Sequence, residues 1–143
     1  PPPPPLDHPS LAFLGIPHSV VPFPLMEVQS ALLAKVLSGR VSLPPRAERH
    51  AALAARDAAL TRPKDAHHLG GAQWDYCRRL LALGQIADRG WQRHIQTNEA
   101  VYNDVGPRRP PFPGGDDGYR RLEYTVDHTS GEWKCSESPC AAS

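Results

Sequence analysis

The 143-residue sequence predicts a mixed α/β chain in which one buried strand feeds a helix, mainly helical segments follow, and a β-hairpin lies near the end. The evidence is a continuous apolar run from Leu11 to Ile16, apolar residues at helical spacing from Leu25 to Val36, and strict alternation at Leu122, Tyr124 and Val126. The first has the length and composition of a strand buried on both faces of a parallel sheet. No comparable strand accompanies it, so it is expected to complete a sheet whose other strands are not in this sequence.

Pro1 to Pro5 open the chain as a polyproline II segment, which suits a linker, the rigid approach to a strand, or a ligand for an SH3 or WW domain. Pro17 ends the apolar run. Leu25, Val28, Leu32, Leu33 and Val36 then share one helical face. Pro24 suits the first helical position, Glu27 the positive end of the helix dipole, Lys35 and Arg40 the negative end, and Gly39 the stop. Leu43-Pro44-Pro45 breaks the chain before an alanine-rich helix from Arg46 to about Leu60, which has few large apolar residues and so belongs on a surface.

Gly70-Gly71 makes a turn before a helix over Gln73 to Leu83, on which Trp74, Cys77 and Leu81 share a face. Cys77 reads as a small core residue with no base placed to activate it. Trp91, Ile95, Val101 and Tyr102 suggest one more short amphipathic helix. Gly106 to Gly118 is rich in proline, glycine and charge, which disfavours a packed element. The hairpin follows, with Thr129-Ser130-Gly131 as its turn and Trp133 packing across, and residues from Cys135 onward read as disordered. The expected division is 1–44 for the strand, turn and first helix, 45–105 for a helical region, and 106–143 for a proline- and glycine-rich loop with a weakly ordered tail.

Composition excludes several classes. Seventeen prolines and eleven glycines limit regular structure, which favours a modest core with long loops. Sixteen basic residues against fifteen acidic ones give no field to draw in nucleic acid, and pairs such as Arg78-Arg79 and Arg120-Arg121 are too short for a binding face. No stretch has the ~20 apolar residues of a membrane span, and no secretory signal is visible. Three cysteines, Cys77, Cys135 and Cys140, fit reduced thiols in the cytoplasm, with a Cys135–Cys140 disulfide as an alternative. Zinc would need four ligands, and His128 beside that pair does not supply them. The chain begins with proline and its one methionine is Met26, which fits an incomplete gene product.

No catalytic constellation stands out: there is no Gly-x-Gly-x-x-Gly, Walker loop, nucleophile elbow or zinc helix. The strand-turn-helix unit still has a physical meaning, because the crevice at the carboxyl end of such a strand is the usual ligand site of an open α/β sheet. The free N–H groups of the following helix can receive a partly negative ligand atom there. The same prolines could instead simply set the chain direction.

Phe13 to Pro17, Val20 to Leu25, Glu27 to Ser30 and Val36 to Pro44 together resemble the late segment of flavin-containing monooxygenases, nearest the plant glucosinolate S-oxygenase branch. His68-Leu69-Gly70-Gly71 with Trp74 and Tyr76 is similar to the segment that follows in that branch. The resemblance implies that Leu11 to Ile16 is the last strand of an FAD-binding Rossmann-like domain. It also implies that Gly15, Pro17, His18, Pro22 and Phe23 lie close to the flavin, mainly through backbone. The family uses FAD and NADPH to oxygenate soft nitrogen or sulfur in small molecules. Both glycine-rich nucleotide loops and the family's Phe-x-Gly-x-x-x-His fingerprint are missing here, and Leu32 stands where the family has an aromatic. The chain alone is therefore expected to hold neither cofactor and to carry no catalytic residue. The alternative is a non-catalytic interaction module that uses the proline-rich start and an exposed face of Leu25, Val28, Leu32 and Leu33.

Overall fold

The computed structural model describes residues 11–62, 65–109 and 118–137. They fall into two compact units divided between Ile86 and Ala87. The first holds helices α1 (Pro22–Leu37), α2 (Arg46–Ala58) and α3 (Gln73–Leu83), with a 3-10 turn at Gly70–Ala72 leading into α3.

Helix α1 begins with Pro22, two residues before the expected Pro24, because the fixed φ of proline suits the first helical position. Glu27 consequently lies beyond the first turn, which contains no acidic residue. The far end behaves as expected. Gly39 adopts φ +70°. Its N–H reaches the Val36 carbonyl at 3.0 Å while the Arg40 N–H reaches that of Lys35 at 2.9 Å, the paired bonds of a Schellman motif.

The core of this unit is where α1 packs on α3. Leu25 and Val28 of α1 and Trp74, Cys77 and Leu81 of α3 are all buried. Each large apolar side chain so buried stabilises the unit by roughly 1.5–3 kcal/mol. This corrects the expectation of an exposed α1 face, since Leu25 and Val28 are fully buried and Leu32 and Leu33 half-buried. Helix α2 buries no residue, in keeping with its alanine-rich composition.

The segment Leu11–Ile16 is not a strand. A strand needs at least one partner strand to pair with, and the described residues hold no sheet besides the hairpin below. Leu11, Phe13, Leu14 and Ile16 are exposed instead, and Gly15 turns the backbone at φ +74°.

The second unit consists of α4 (Arg89–Val105) and a hairpin of β1 (Leu122–Val126) and β2 (Trp133–Glu137), with short 3-10 turns at Gly106–Arg108 and Gly118–Arg121. Helix α4 takes in the expected Trp91, Ile95, Val101 and Tyr102, and its start is fixed by Asp88, which accepts from Gly90 N at 2.7 Å and Trp91 N at 3.3 Å. The hairpin pairs Val126 with Trp133 and Tyr124 with Cys135, and the Tyr124 and Trp133 rings lie 5.8 Å apart on one face. Cys135 to Glu137 thus belong to β2 rather than to a disordered tail. The turn is held by Asp127, whose Oδ1 accepts from Thr129 N at 2.7 Å. Gly131, at φ +81°, sits where a Cβ would meet Arg93 Cγ at 2.5 Å. Arg93 donates to the Thr129 carbonyl and Thr97 Oγ1 to that of Gly131, so the turn is seated on α4.

The proline run at the start, most of the expected loop before Gly118, and Cys140 lie outside the described residues. No helix among those described is long and apolar enough to cross a membrane.

Candidate functional site

The residues singled out from the sequence lie along one loop, Gly15 to Val21, and the first turn of α1. The loop is fastened at three points. At its start, Gly15 N–H donates to Gln29 Oε1 at 2.8 Å, and Gln29 Nε2 donates to Tyr76 OH at 3.0 Å. In its middle, His18 forms an isolated parallel bridge to His68: His18 N–H reaches the His67 carbonyl at 2.9 Å and Leu69 N–H reaches the His18 carbonyl at 3.3 Å. At its end, Val21 N–H donates to Gln73 Oε1 at 2.6 Å. Segments far apart in the sequence of the first unit are thereby joined, since Val21 and Gln73 are 52 positions apart.

The side chains named from the sequence are placed unevenly. Gly15 turns the chain beside Met26, whose sulfur lies 3.4 Å from where a Cβ would sit. Pro17 is half-buried. The His18 ring is exposed, touching Ser19 Oγ at 3.3 Å, with the His68 ring edge-on at 5.3 Å. Pro22 is exposed, and Phe23 is 75% exposed at the start of α1.

The hydrogen-bond accounting at this helix end differs from the expectation of several free N–H groups. A helix leaves its first four N–H groups without intrahelical partners. Here Pro22 and Pro24 have none to offer and Val21 N–H is taken by Gln73, so the Phe23 amide is the one left without a partner among the described residues. One N–H backed by a helix dipole suits a single carbonyl oxygen of a neutral ligand. It does not suit a pyrophosphate, which needs a fan of amides or cationic side chains, and residues 11–24 contain neither lysine nor arginine.

Gln29, Gln73 and Tyr76 form the part of the site that pattern reading did not assign. Gln29 falls beside Val28 on the apolar face of α1, and Gln73 opens the apolar face of α3; both are buried polar residues. A polar residue inside an apolar stripe was the available signal.

Cys77 in the first unit and the Tyr124–Asp104–Arg108 cluster in the second have structural surroundings. Burial pushes the Cys77 thiol up to about 11, with the Arg78 charge opposing, so it is no nucleophile at neutral pH. In the second unit Tyr124 OH donates to Asp104 Oδ2 at 2.7 Å and Arg108 pairs with the same carboxylate at 3.0 Å. Those bonds, Tyr124 first, hold Asp104 below the usual carboxylate range, while burial and then the Asp104 bond push the Tyr124 phenol upward. A shallow depression lined by Ala59, Leu60, Thr61, Arg62, Asp65 and His68 brings no three metal-ligating side chains together.

Flavin-containing monooxygenase FMO GS-OX-like 2 of Arabidopsis thaliana is 56% identical over 45 residues, covering 32% of this chain and 10% of that protein. FMO GS-OX-like 5 of the same plant is 39% identical over 109 residues, covering 73% of this chain and 24% of its own length. FMO GS-OX5 is 42% identical over 104 residues, covering 69% and 22%. The chain therefore spans between about a tenth and a quarter of the length of these relatives. No family model and no solved structure matches.

Proposed function

Because the chain belongs to the flavin-containing monooxygenase family, we propose that it supplies the flavin-facing loop of an FAD- and NADPH-dependent enzyme that oxygenates soft nitrogen or sulfur in small molecules. The observation that carries this reading is the loop Gly15–Val21, fastened at both ends and in the middle, which ends at a helix start with one amide unclaimed among the described residues. That arrangement fits the edge of an isoalloxazine ring. The Phe23 N–H and the positive end of α1 would meet a ring carbonyl, and Gly15, Pro17, His18 and Pro22 would line the approach with backbone and ring atoms.

The bound cofactor would supply oxygen activation and transfer of one oxygen atom to the substrate. The work of this chain is positioning: two prolines leave the first turn of α1 a single donor, and the fastened loop keeps that donor in one place. Leu11–Ile16 would join a parallel sheet of an FAD-binding Rossmann-like domain as its last strand. That role accounts for an apolar run which is exposed here. The pyrophosphate cradle and the NADPH site would lie in parts of the enzyme outside this sequence, and the complete enzyme would work in the cytoplasm.

The test is to join the chain behind the flavin- and nucleotide-binding region of FMO GS-OX-like 5 and purify both proteins. The joined protein is expected to retain flavin in one equivalent and the 143-residue chain to purify colourless. A yellow 143-residue chain would overturn the argument that a single amide cannot hold the cofactor.

A further inference from the structure

We propose that Gln73, together with Gln29, is a positioning residue whose side-chain oxygen sets the backbone of the flavin-facing loop, an inference that rests on the function proposed above. Gln73 is 1% exposed, and its oxygen accepts from Val21 N–H at 2.6 Å. Val21 is the cap of α1 and has no side-chain acceptor of its own, so Gln73 fixes the point at which loop becomes helix. The Phe23 amide is two residues further on. Gln29, 8% exposed, does the same at the other end through Gly15 N–H, and Tyr76 OH orients its carboxamide.

A role in filling the core does not explain Gln73. Its neighbours on α3, Trp74 and Cys77, are buried hydrophobic residues, whereas Gln73 Nε2 is a buried polar group with no hydrogen-bond partner among the described residues. An unpaired buried donor is a cost that methionine, of similar length, would not carry. What the carboxamide adds is the acceptor for Val21. Glutamate would keep a side-chain oxygen acceptor at the same length, though burial at 1% exposure favours its neutral form. The acceptor and the volume can therefore be separated by substitution.

The experiment compares Gln73→Met and Gln73→Glu in the 143-residue chain, by amide hydrogen exchange, and in the joined protein, by the visible spectrum and reduction potential of its flavin. Gln73→Met is expected to speed Val21 exchange by about tenfold or more, because a backbone donor loses its partner, and to shift the flavin band and potential. Gln73→Glu is expected to keep Val21 protected. Unchanged Val21 exchange in Gln73→Met, or Val21 protection lost in Gln73→Glu while the other α1 amides stay protected, would overturn the role of the acceptor. Faster exchange with an unchanged flavin spectrum and potential would overturn positioning while leaving the flavin-facing reading intact. If the unsubstituted joined protein held no flavin, that reading and this inference would fall together. Should Gln73→Met not fold, Gln29→Glu tests the other end, with Gly15 protection expected to persist and its loss overturning the proposal.

Discussion

Gly39 shows how one residue fixes the end of an element. Its φ of +70° closes the Schellman motif after α1, and a Cβ there would meet nothing within 4 Å, so the constraint is conformational and not steric crowding. Gly39→Ala should lower stability by roughly 1–2 kcal/mol, the cost of left-handed backbone for an L-residue. Gly71→Ala, also in open space but without positive φ, should be close to neutral. Thermal unfolding of the two variants checks the pair, and equal losses would mean the motif does not hold the helix end. Cys77 gives a pH test at the same scale. Its thiol is raised from 9.0 to about 11, so the folded chain keeps a proton that the unfolded chain has already lost. Its contribution is complete below pH 9 and is lost as pH rises toward 11. Denaturant midpoints measured across that range should fall, and Cys77→Ala should flatten the dependence. Gly39 was legible in the sequence because a glycine after a helical apolar pattern has one main use. Gln73 was not, since nothing local in a polar residue reveals an acceptor role toward an amide 52 positions away.

At the scale of elements, legibility followed how local the determinants are. The hairpin was readable because alternation at Leu122, Tyr124 and Val126 and the turn at Thr129-Ser130-Gly131 are carried by neighbouring residues. Helix α3 was readable from three residues on one face. The apolar run at Leu11 was not, because a buried strand is defined by its neighbours, and the described residues provide none. Two carboxylates of the second unit are held by hydrogen bonds. Asp127 is held low first by the Thr129 amide and then by Ser130, and Asp104 first by Tyr124 and then by Arg108. Both are depressed in the folded chain, so their contribution is present above the unfolded value of 3.8 and is lost as pH falls through the lower folded values. Tyr124 and Trp133 pack together in this hairpin. Near-ultraviolet circular dichroism of these rings should weaken on acidification below pH 3.8, and Asp127→Asn should shift that loss. In α4, Asp88→Ala should cost about 1 kcal/mol by removing the acceptor for Gly90 and Trp91, read as a lower unfolding midpoint.

For the whole molecule, the informative quantity is apolar surface left without a cover. Leu11, Phe13, Leu14 and Ile16 are exposed within six consecutive positions, and Phe23 is 75% exposed nearby in sequence. Single exposed apolar residues are ordinary, but a run of them marks a surface that meets something else. If that something is the sheet of an upstream FAD-binding domain, the 143-residue chain should bind a hydrophobic dye and self-associate as its concentration rises. Replacing Phe13 and Ile16 by serine should reduce both effects without changing the helical signal, because neither residue belongs to the α1–α3 core. In the protein joined behind the region from FMO GS-OX-like 5 the same surface should be covered, so dye binding should drop without any substitution. There, serine at these two positions should loosen the junction and increase flavin loss. A dye signal equal in the two proteins would mean that the run is not a missing strand, and the single amide at Phe23 would then have no sheet to align it with a flavin.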